Sequence, residues 1–238
     1  MTGPGEQAPP NLPAPPEPPP APGVAGNPWE RRTTLGMANG LVEALKLFVT
    51  SPTEAFSQTI KQGDFGSPLL FAIIVGWIGI AIGQIWETLM GASILSMLPA
   101  EIRNQVPFVM GSAGSFLFNV IFAPVFIIIG IFIWSAILHL CLIIVGGLNH
   151  SQAGFEGSFR VVSYSTVAQL ANLVPIVGGM ICLIWSLFLA VVGVQQIHQT
   201  EQGKSVLAVL IPVILCCACL SMTLFMAGAG LMTMFANQ

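Results

Sequence analysis

The sequence predicts an all-α polytopic membrane protein, a helical bundle of about five transmembrane helices with short amphipathic helices before the first span. Charge is scarce, since 7 basic and 10 acidic side chains serve 238 residues, whereas soluble domains are about one quarter charged. Four long runs hold at most one charge each, at residues 68–90, 116–147, 161–196 and 205–238. Apolar runs of this length cross the hydrocarbon core as helices, which satisfy their own backbone groups.

Residues 1–28 are predicted to be a disordered, Pro-rich cytosolic tail. They contain 11 of the 18 prolines and almost nothing that could build a core, which favours disorder or polyproline II structure. The P-x-x-P spacing of Pro13 and Pro16 is typical of a solvated spacer, and less often of a segment that docks in an aromatic groove.

Residues 29–66 form the second predicted domain, two amphipathic helices at the membrane interface. Leu41, Leu45 and Phe48 recur at helical spacing, and this stripe predicts the first helix. The sequence Ser51-Pro52-Thr53-Glu54 fits a capping box, which predicts the start of the second helix.

We expect these helices to lie along the membrane surface, with Trp29 and Phe56 as interfacial anchors. The alternative is a small helical hairpin that packs on the spans. The two arrangements differ in whether these aromatic side chains are exposed or buried.

Residues 67–238 are the predicted five-helix transmembrane domain, whose first two spans cover about residues 68–89 and 116–147. Gly76, Gly79 and Gly83 line one face of the first span, and such a stripe permits close helix approach. The second span exceeds the bilayer thickness, so we expect it to tilt, protrude or bend near Pro124. Between them, Pro99 starts a predicted interfacial helix.

The run over residues 159–196 is too long for one span. Pro175 and the Gly178-Gly179 pair divide it into two short helices, which form either two spans or a re-entrant hairpin. The last predicted span covers about residues 206–234.

The basic residues predict the orientation. With five spans and a cytosolic N-terminus, six of the seven lie on the cytosolic side (Arg31, Arg32, Lys46, Lys61, Arg160 and Lys204) and only Arg103 lies outside. Cytosolic loops carry such an excess. The C-terminus is therefore expected across the membrane, although a re-entrant hairpin would satisfy the rule equally well.

Polar residues inside spans are functional candidates, because burying them in lipid is costly. The main candidates are His139, Gln169 and Asn172. For His139 we favour a neutral imidazole that bonds to a neighbouring helix over a proton relay. The cysteines at 216, 217 and 219 lie in an apolar helix without acidic or histidine company, so we expect small packing residues rather than a metal site.

The sequence contains no nucleotide loop, zinc-protease motif or nucleophile elbow. We therefore expect no catalytic residue, no cofactor and no enzymatic activity. The net charge of −3 gives no reason to expect a nucleic-acid partner.

The order of features resembles the Yip domain membrane family. A Pro-rich tail, W-E-R-R from Trp29, S-P-x-E-A-F from Ser51 and five predicted spans occur in that order. The closest likeness is the segment from Phe159 to Pro212, which contains F-R-V-V-S-Y-S, L-V-P-I-V-G-G and W-S-L-F-L-A-V-V-G-V-Q-Q-I-H.

Eukaryotic members of this family engage Rab-type GTPases and carry D-L-Y-G-P before the first span. Here the corresponding place reads Asp64-Phe65-Gly66-Ser67-Pro68, without the tyrosine and with the glycine displaced, which leaves GTPase binding doubtful. The chain resembles the prokaryotic members more, and this resemblance implies a bacterial cytoplasmic membrane.

Two functions remain open. The first is a non-enzymatic scaffold or adaptor that offers its N-terminal region to a cytosolic protein, with a homo-oligomer as a further expected assembly. Its candidate partner-facing residues are Trp29, Arg31, Arg32, Asp64, Phe65 and Pro68. The second is a small-solute transporter or channel that uses the broken helix from Pro175 to Gly179, with Gln169, Asn172 and His139 facing a cavity.

Overall fold

The computed structural model describes residues 26–97 and 113–236, and these ranges contain helices and no strand. The helices are α1 (Arg32–Leu35), α2 (Met37–Thr50), α3 (Pro52–Gln58), α4 (Gly66–Met97), α5 (Ala113–Ile144), α6 (Gly154–Ser165), a 3₁₀ helix (Thr166–Leu173), α7 (Gly178–His198) and α8 (Gln202–Ala236). The Pro-rich tail up to residue 25 and the helix predicted after Pro99 lie outside the described residues.

The predicted helical membrane fold is confirmed. Within the described ranges, four helices are long and apolar enough to cross a membrane, namely α4, α5, α7 and α8. The remaining predicted span is α6 together with the 3₁₀ helix. At the usual rises of the two helix types this segment is about 34 Å long, but it is not one continuous α-helix.

The glycine stripe of α4 packs against other helices, as the sequence predicted. A Cβ at Gly79 would lie 2.5 Å from Cβ of Gln169 and 2.6 Å from its carbonyl oxygen, so only glycine fits there. Gly83 faces Asn172 and Gly76 faces Ile127. The 3₁₀ helix therefore runs beside α4 at van der Waals contact.

The other long helices run back across the bundle. Trp77 Nε1 of α4 donates to the Val120 carbonyl of α5 at 2.8 Å, and α5 continues through Pro124 without interruption. α7 returns along α6, since a Cβ on Gly193 would lie 3.0 Å from both Val161 and the Phe56 ring.

The reversal before α7 is built differently from the expectation. The predicted break at residues 175–179 is present, but the left-handed residue is Ile176, at φ 69°. Gly178 already begins α7 and is required for contact, because a Cβ there would lie 2.5 Å from the Ala171 carbonyl oxygen. Gly179 has open space around it.

The expectation that Trp29 and Phe56 anchor the protein in the membrane interface is wrong. Trp29 is 0% exposed and Phe56 is 1% exposed, because both pack in an aromatic core with Phe48 and Phe71. Phe48 also stacks on Tyr164 of α6, with the ring centroids 5.1 Å apart. The alternative is correct: α1–α3 pack as a helical platform on one end of the bundle.

The platform helices begin largely as predicted. Pro52 stands in the first turn of α3, but Ser51 makes no side-chain cap. Glu54 accepts a hydrogen bond from Gln58 at 2.9 Å instead, so the predicted capping box does not form.

Candidate functional site: an ionic cluster at the start of the first span

Arg160 of α6 is the centre of a buried ionic cluster. Its side chain is 1% exposed and its Nη1 lies 2.6 Å from Oε1 of Glu30. Its Nη2 contacts Glu156 at 2.7 Å, one helical turn earlier, and donates to the Asp64 carbonyl oxygen at 2.9 Å. The Asp64 carboxylate is more distant, at 3.6 Å. One guanidinium thus holds three acidic residues from three separate segments.

Glu30 accepts four hydrogen bonds. Its Oε1 accepts from Arg160 and from the Tyr164 hydroxyl at 2.9 Å, and its Oε2 accepts from the backbone amides of Asn27 and Ile60, each at 3.0 Å. Burial raises the pKa of the Glu30 carboxyl above its ordinary value and outweighs these interactions, which lower the pKa.

The segment from Asp64 to Pro68 is the second half of the site. Trp29 Nε1 donates to the Ser67 carbonyl at 2.7 Å. Arg32 donates to the Ser67 hydroxyl at 2.6 Å and lies over the Trp29 ring, 4.7 Å from its centroid. Asp64 Oδ2 accepts from the Ser67 amide at 3.1 Å, which satisfies a free donor at the start of α4.

The structure brings most of the predicted partner-facing residues together, but as a packing junction. Trp29 and Pro68 are buried and Arg32 is half-buried. Phe65 is 41% exposed and packs edge-on against Phe159.

The Asp64 side chain is 59% exposed. Arg31 is half-buried, as Arg32 is. Among the predicted residues, Asp64 and Phe65 therefore offer the largest surface to a partner.

The sequence reasoning missed Glu30, Glu156 and Tyr164, and it used Arg160 only to predict orientation. A signal was present, because Arg160 stands directly before the uncharged run at residues 161–196 and Tyr164 is the single tyrosine. What the sequence lacked was the partner, since Glu30 is 130 positions away from Arg160.

A second polar chain joins α5, α6 and α7. His139 Nδ1 lies 3.0 Å from the Ser158 hydroxyl, which lies 3.1 Å from His198 Nε2. His198 Nδ1 then lies 2.7 Å from the Ser151 hydroxyl. The favoured interpretation of His139, an imidazole bonded to a neighbouring helix, agrees with this geometry. His139 lies five residues before the end of α5.

Gln169 and Asn172 contact each other and α4. Asn172 Nδ2 donates to Gln169 Oε1 at 2.8 Å and to the Gly79 carbonyl at 3.3 Å. Neither side chain is needed by the backbone amide of Gly178 at the break, which donates to the Val174 carbonyl at 3.0 Å.

The cysteines of α8 do not act as packing residues within one chain. Cys216, Cys217 and Cys219 are exposed, because α8 leaves the bundle after its first turns. In the part of the chain that the structure describes, no group of three or more His, Cys, Asp or Glu side chains is arranged to hold a metal ion.

The fold and this site define a polytopic α-helical membrane protein whose first span is locked to a compact N-terminal platform. A family model described as the Yip1 domain matches residues 45–223, which is more than half of the chain. The protein therefore belongs to the Yip1 domain family. No curated protein matches the chain, and no solved structure matches it either.

Proposed function

We propose that this Yip1 domain protein is a non-enzymatic membrane scaffold or adaptor that presents its N-terminal platform to a protein partner in the cytosol. The excess of Lys and Arg on the platform side supports a cytosolic platform and a C-terminus across the membrane. Residence in a bacterial cytoplasmic membrane is part of the same proposal and is supported by the resemblance to prokaryotic members.

One observation carries the proposal: the platform is packed against the bundle through buried side chains and still has an uncovered face. The Arg160 cluster and the aromatic core fix α1–α3 to the bundle. On the opposite side of α2, Val42 and Val49 are 48% and 46% exposed, and exposed Glu43 and Lys46 lie beside them. We call these four residues the α2 outer face. Val42 and Val49 lie on the same side of α2 with Lys46 between them, so this face presents two apolar side chains and a cation to a partner.

Site-specific photo-cross-linking tests this proposal. A photoreactive residue at Val42 or Val49 should give a discrete protein adduct in cells, whereas one at Ile129, which is 51% exposed in the α5 span, should label lipid. Lys46→Glu should reduce the protein adduct, and Lys61→Glu, the same charge reversal at an exposed residue after the end of α3, should not. Lipid labelling alone at Val42 and Val49 would contradict the proposal and favour a membrane-facing platform.

The transporter alternative has less support. Asn172 is engaged with Gln169 and Gly79 and does not line the cavity that Gln169 reaches, whose described lining residues include no charged side chain. We expect Asn172→Leu to lower the folded yield and to reveal no flux phenotype. Solute flux in reconstituted liposomes, abolished by Asn172→Leu while the fold persists, would overturn the scaffold proposal.

A further inference from the structure

A lateral groove opens within the spans where α8 leaves the bundle. The first turns of α8 are packed, with Ala208 and Val209 buried, whereas Ile214 is already 62% exposed. The cavity left between α5, the 3₁₀ helix, α7 and α8 has a volume of about 490 Å³, within the range of about 300–1,000 Å³ that is usual for ligand sites. We call this cavity the lateral groove.

The walls of the lateral groove are continuous with the surface that faces the bilayer. Trp134 of α5 and Leu183 of α7 line the groove and are also 45% and 56% exposed at the outside of these spans. The molecules that reach the groove from this side are therefore lipids rather than water-soluble ligands.

The Gln169 side chain on the floor of the lateral groove carries a hydrogen-bond donor that has no acceptor among the described residues. Gln169 Oε1 accepts from Asn172, but the Gln169 Nε2 group donates to no described residue. Nearby hydroxyls are engaged with their own helices, since Ser165 donates to the Val161 carbonyl at 2.7 Å and Ser186 to the Leu183 carbonyl at 2.8 Å. An amide N–H in hydrocarbon without an acceptor costs several kcal/mol.

The depth and charge of the groove restrict the occupant. Gln169 packs on Gly79, which lies near the middle of the span Gly66–Gly91. An acceptor must therefore reach the centre of the bilayer. Because no described lining residue is charged, a phosphate headgroup would find no partner there.

From these observations we propose that the lateral groove binds an uncharged lipid that carries a carbonyl or hydroxyl oxygen, such as a diacylglycerol. The hydrocarbon chains lie against α5 and α7, and the oxygen accepts a hydrogen bond from Gln169 Nε2. This site is separate from the α2 outer face, so it can fail without affecting the proposed scaffold function.

The structure supplies variants that fill the groove without a clash. Gly130 and Gly179 both line the groove, and a Cβ at either position has nothing within 4 Å. Gly130→Leu and Gly179→Leu should therefore occupy the space of the ligand. Gly203→Leu is the matched control, because Gly203 is equally open and does not line the groove.

The test is photolabelling of the purified full chain in liposomes with diazirine-bearing diacylglycerol, compared with phosphatidylglycerol that carries the same acyl chain. Diacylglycerol should label the peptides that contain Trp134 and Leu183. Gly130→Leu, Gly179→Leu and Gln169→Leu should each reduce this labelling by about tenfold, as expected for the loss of about 1.4 kcal/mol of binding free energy. Gly203→Leu should leave the labelling unchanged. Thermal unfolding in detergent identifies variants that remain folded, and only these are compared.

Two results would overturn the proposal. Equal labelling of the normal protein and the folded Gly130→Leu and Gly179→Leu variants would place the probe outside the groove. Labelling of the same peptides by phosphatidylglycerol to the same extent would show ordinary contact with surrounding lipid.

Discussion

The Arg160 guanidinium lies 2.6 Å from the Glu30 carboxylate, and the two side chains are 1% and 3% exposed. This contact joins Glu30, the residue after Trp29, to α6, and together with the aromatic core it holds the N-terminal platform against the bundle. A buried pair of this kind adds little net stability compared with a well-packed apolar pair, but breaking it leaves an uncompensated charge.

Arg160→Met should therefore be strongly destabilising. It leaves Glu30 buried without its cation, and we expect a loss of about 3–5 kcal/mol in the free energy of unfolding. Thermal or denaturant unfolding in detergent measures this loss. The control is Lys204→Met, whose contact with Glu201 spans 3.8 Å at the surface and contributes at most about 1 kcal/mol. Similar losses in both variants would contradict the assigned role of Arg160.

Glu30→Gln should change how stability depends on pH. Burial raises the pKa of Glu30 above 4.5 in the folded protein, so the folded state holds this proton more tightly than the unfolded chain. The resulting contribution to the free energy of unfolding is complete below the pKa of Glu30 in the unfolded chain. It is lost as the pH rises through the pKa of Glu30 in the folded protein.

Melting curves of both proteins from about pH 4.5 to about pH 8 test the sign. The stability of the normal protein relative to Glu30→Gln should decrease across this range. A difference that increases with pH would show that Glu30 is held ionised, with a lowered pKa.

Gly79→Ala should destabilise the fold, because its Cβ would lie 2.6 Å from the Gln169 carbonyl oxygen. Gly203→Ala meets open space and should raise the free energy of unfolding by up to about 1 kcal/mol. Gly79→Leu should also lower the free energy of unfolding more than Val75→Leu does. Val75 is buried, but Val75→Leu adds only one methylene, which costs about 1–3 kcal/mol. If Gly79→Ala and Gly203→Ala have equal melting temperatures, α4 and the 3₁₀ helix are not in contact.

Ile176→Gly should be tolerated. A β-branched residue at φ 69° is strained by about 1–2 kcal/mol, and Ile176→Gly relieves this strain. The relief offsets the destabilisation of about 0.4–1 kcal/mol that comes from the extra entropy of glycine in the unfolded chain. Ile176 is 80% exposed, so little packing is lost. Val177, at φ −96°, has no strain to release, and Val177→Gly should lower the melting temperature. A larger decrease in melting temperature for Ile176→Gly than for Val177→Gly would contradict the left-handed conformation of Ile176.

Single cysteines placed near residues 5 and 238, in a variant without the five native cysteines, should react with impermeant reagents from opposite sides of the membrane. The motivation is the six-to-one distribution of basic residues. Reaction of both sites from the same side would rule out five crossings and the proposed orientation.

The sequence by itself determined the class of fold, four of the five predicted helical spans and the place of the break. These properties depend on local quantities, namely the absence of charge over runs such as residues 116–147, the spacing of glycine on one helix face, and proline at residue 175. The resemblance to the family motif also drew attention to Asp64 and Pro68, as candidate partner-facing residues.

Only the tertiary structure decided what those residues contact. Amphipathic spacing is the same whether a helix lies on lipid or on protein, so burial of Trp29 and Phe56 could not be predicted from periodicity. The pairing of Glu30 with Arg160 and the contact between Gly79 and Gln169 join segments that are far apart along the chain. Such contacts depend on how the helices pack together, which no local pattern of residues encodes.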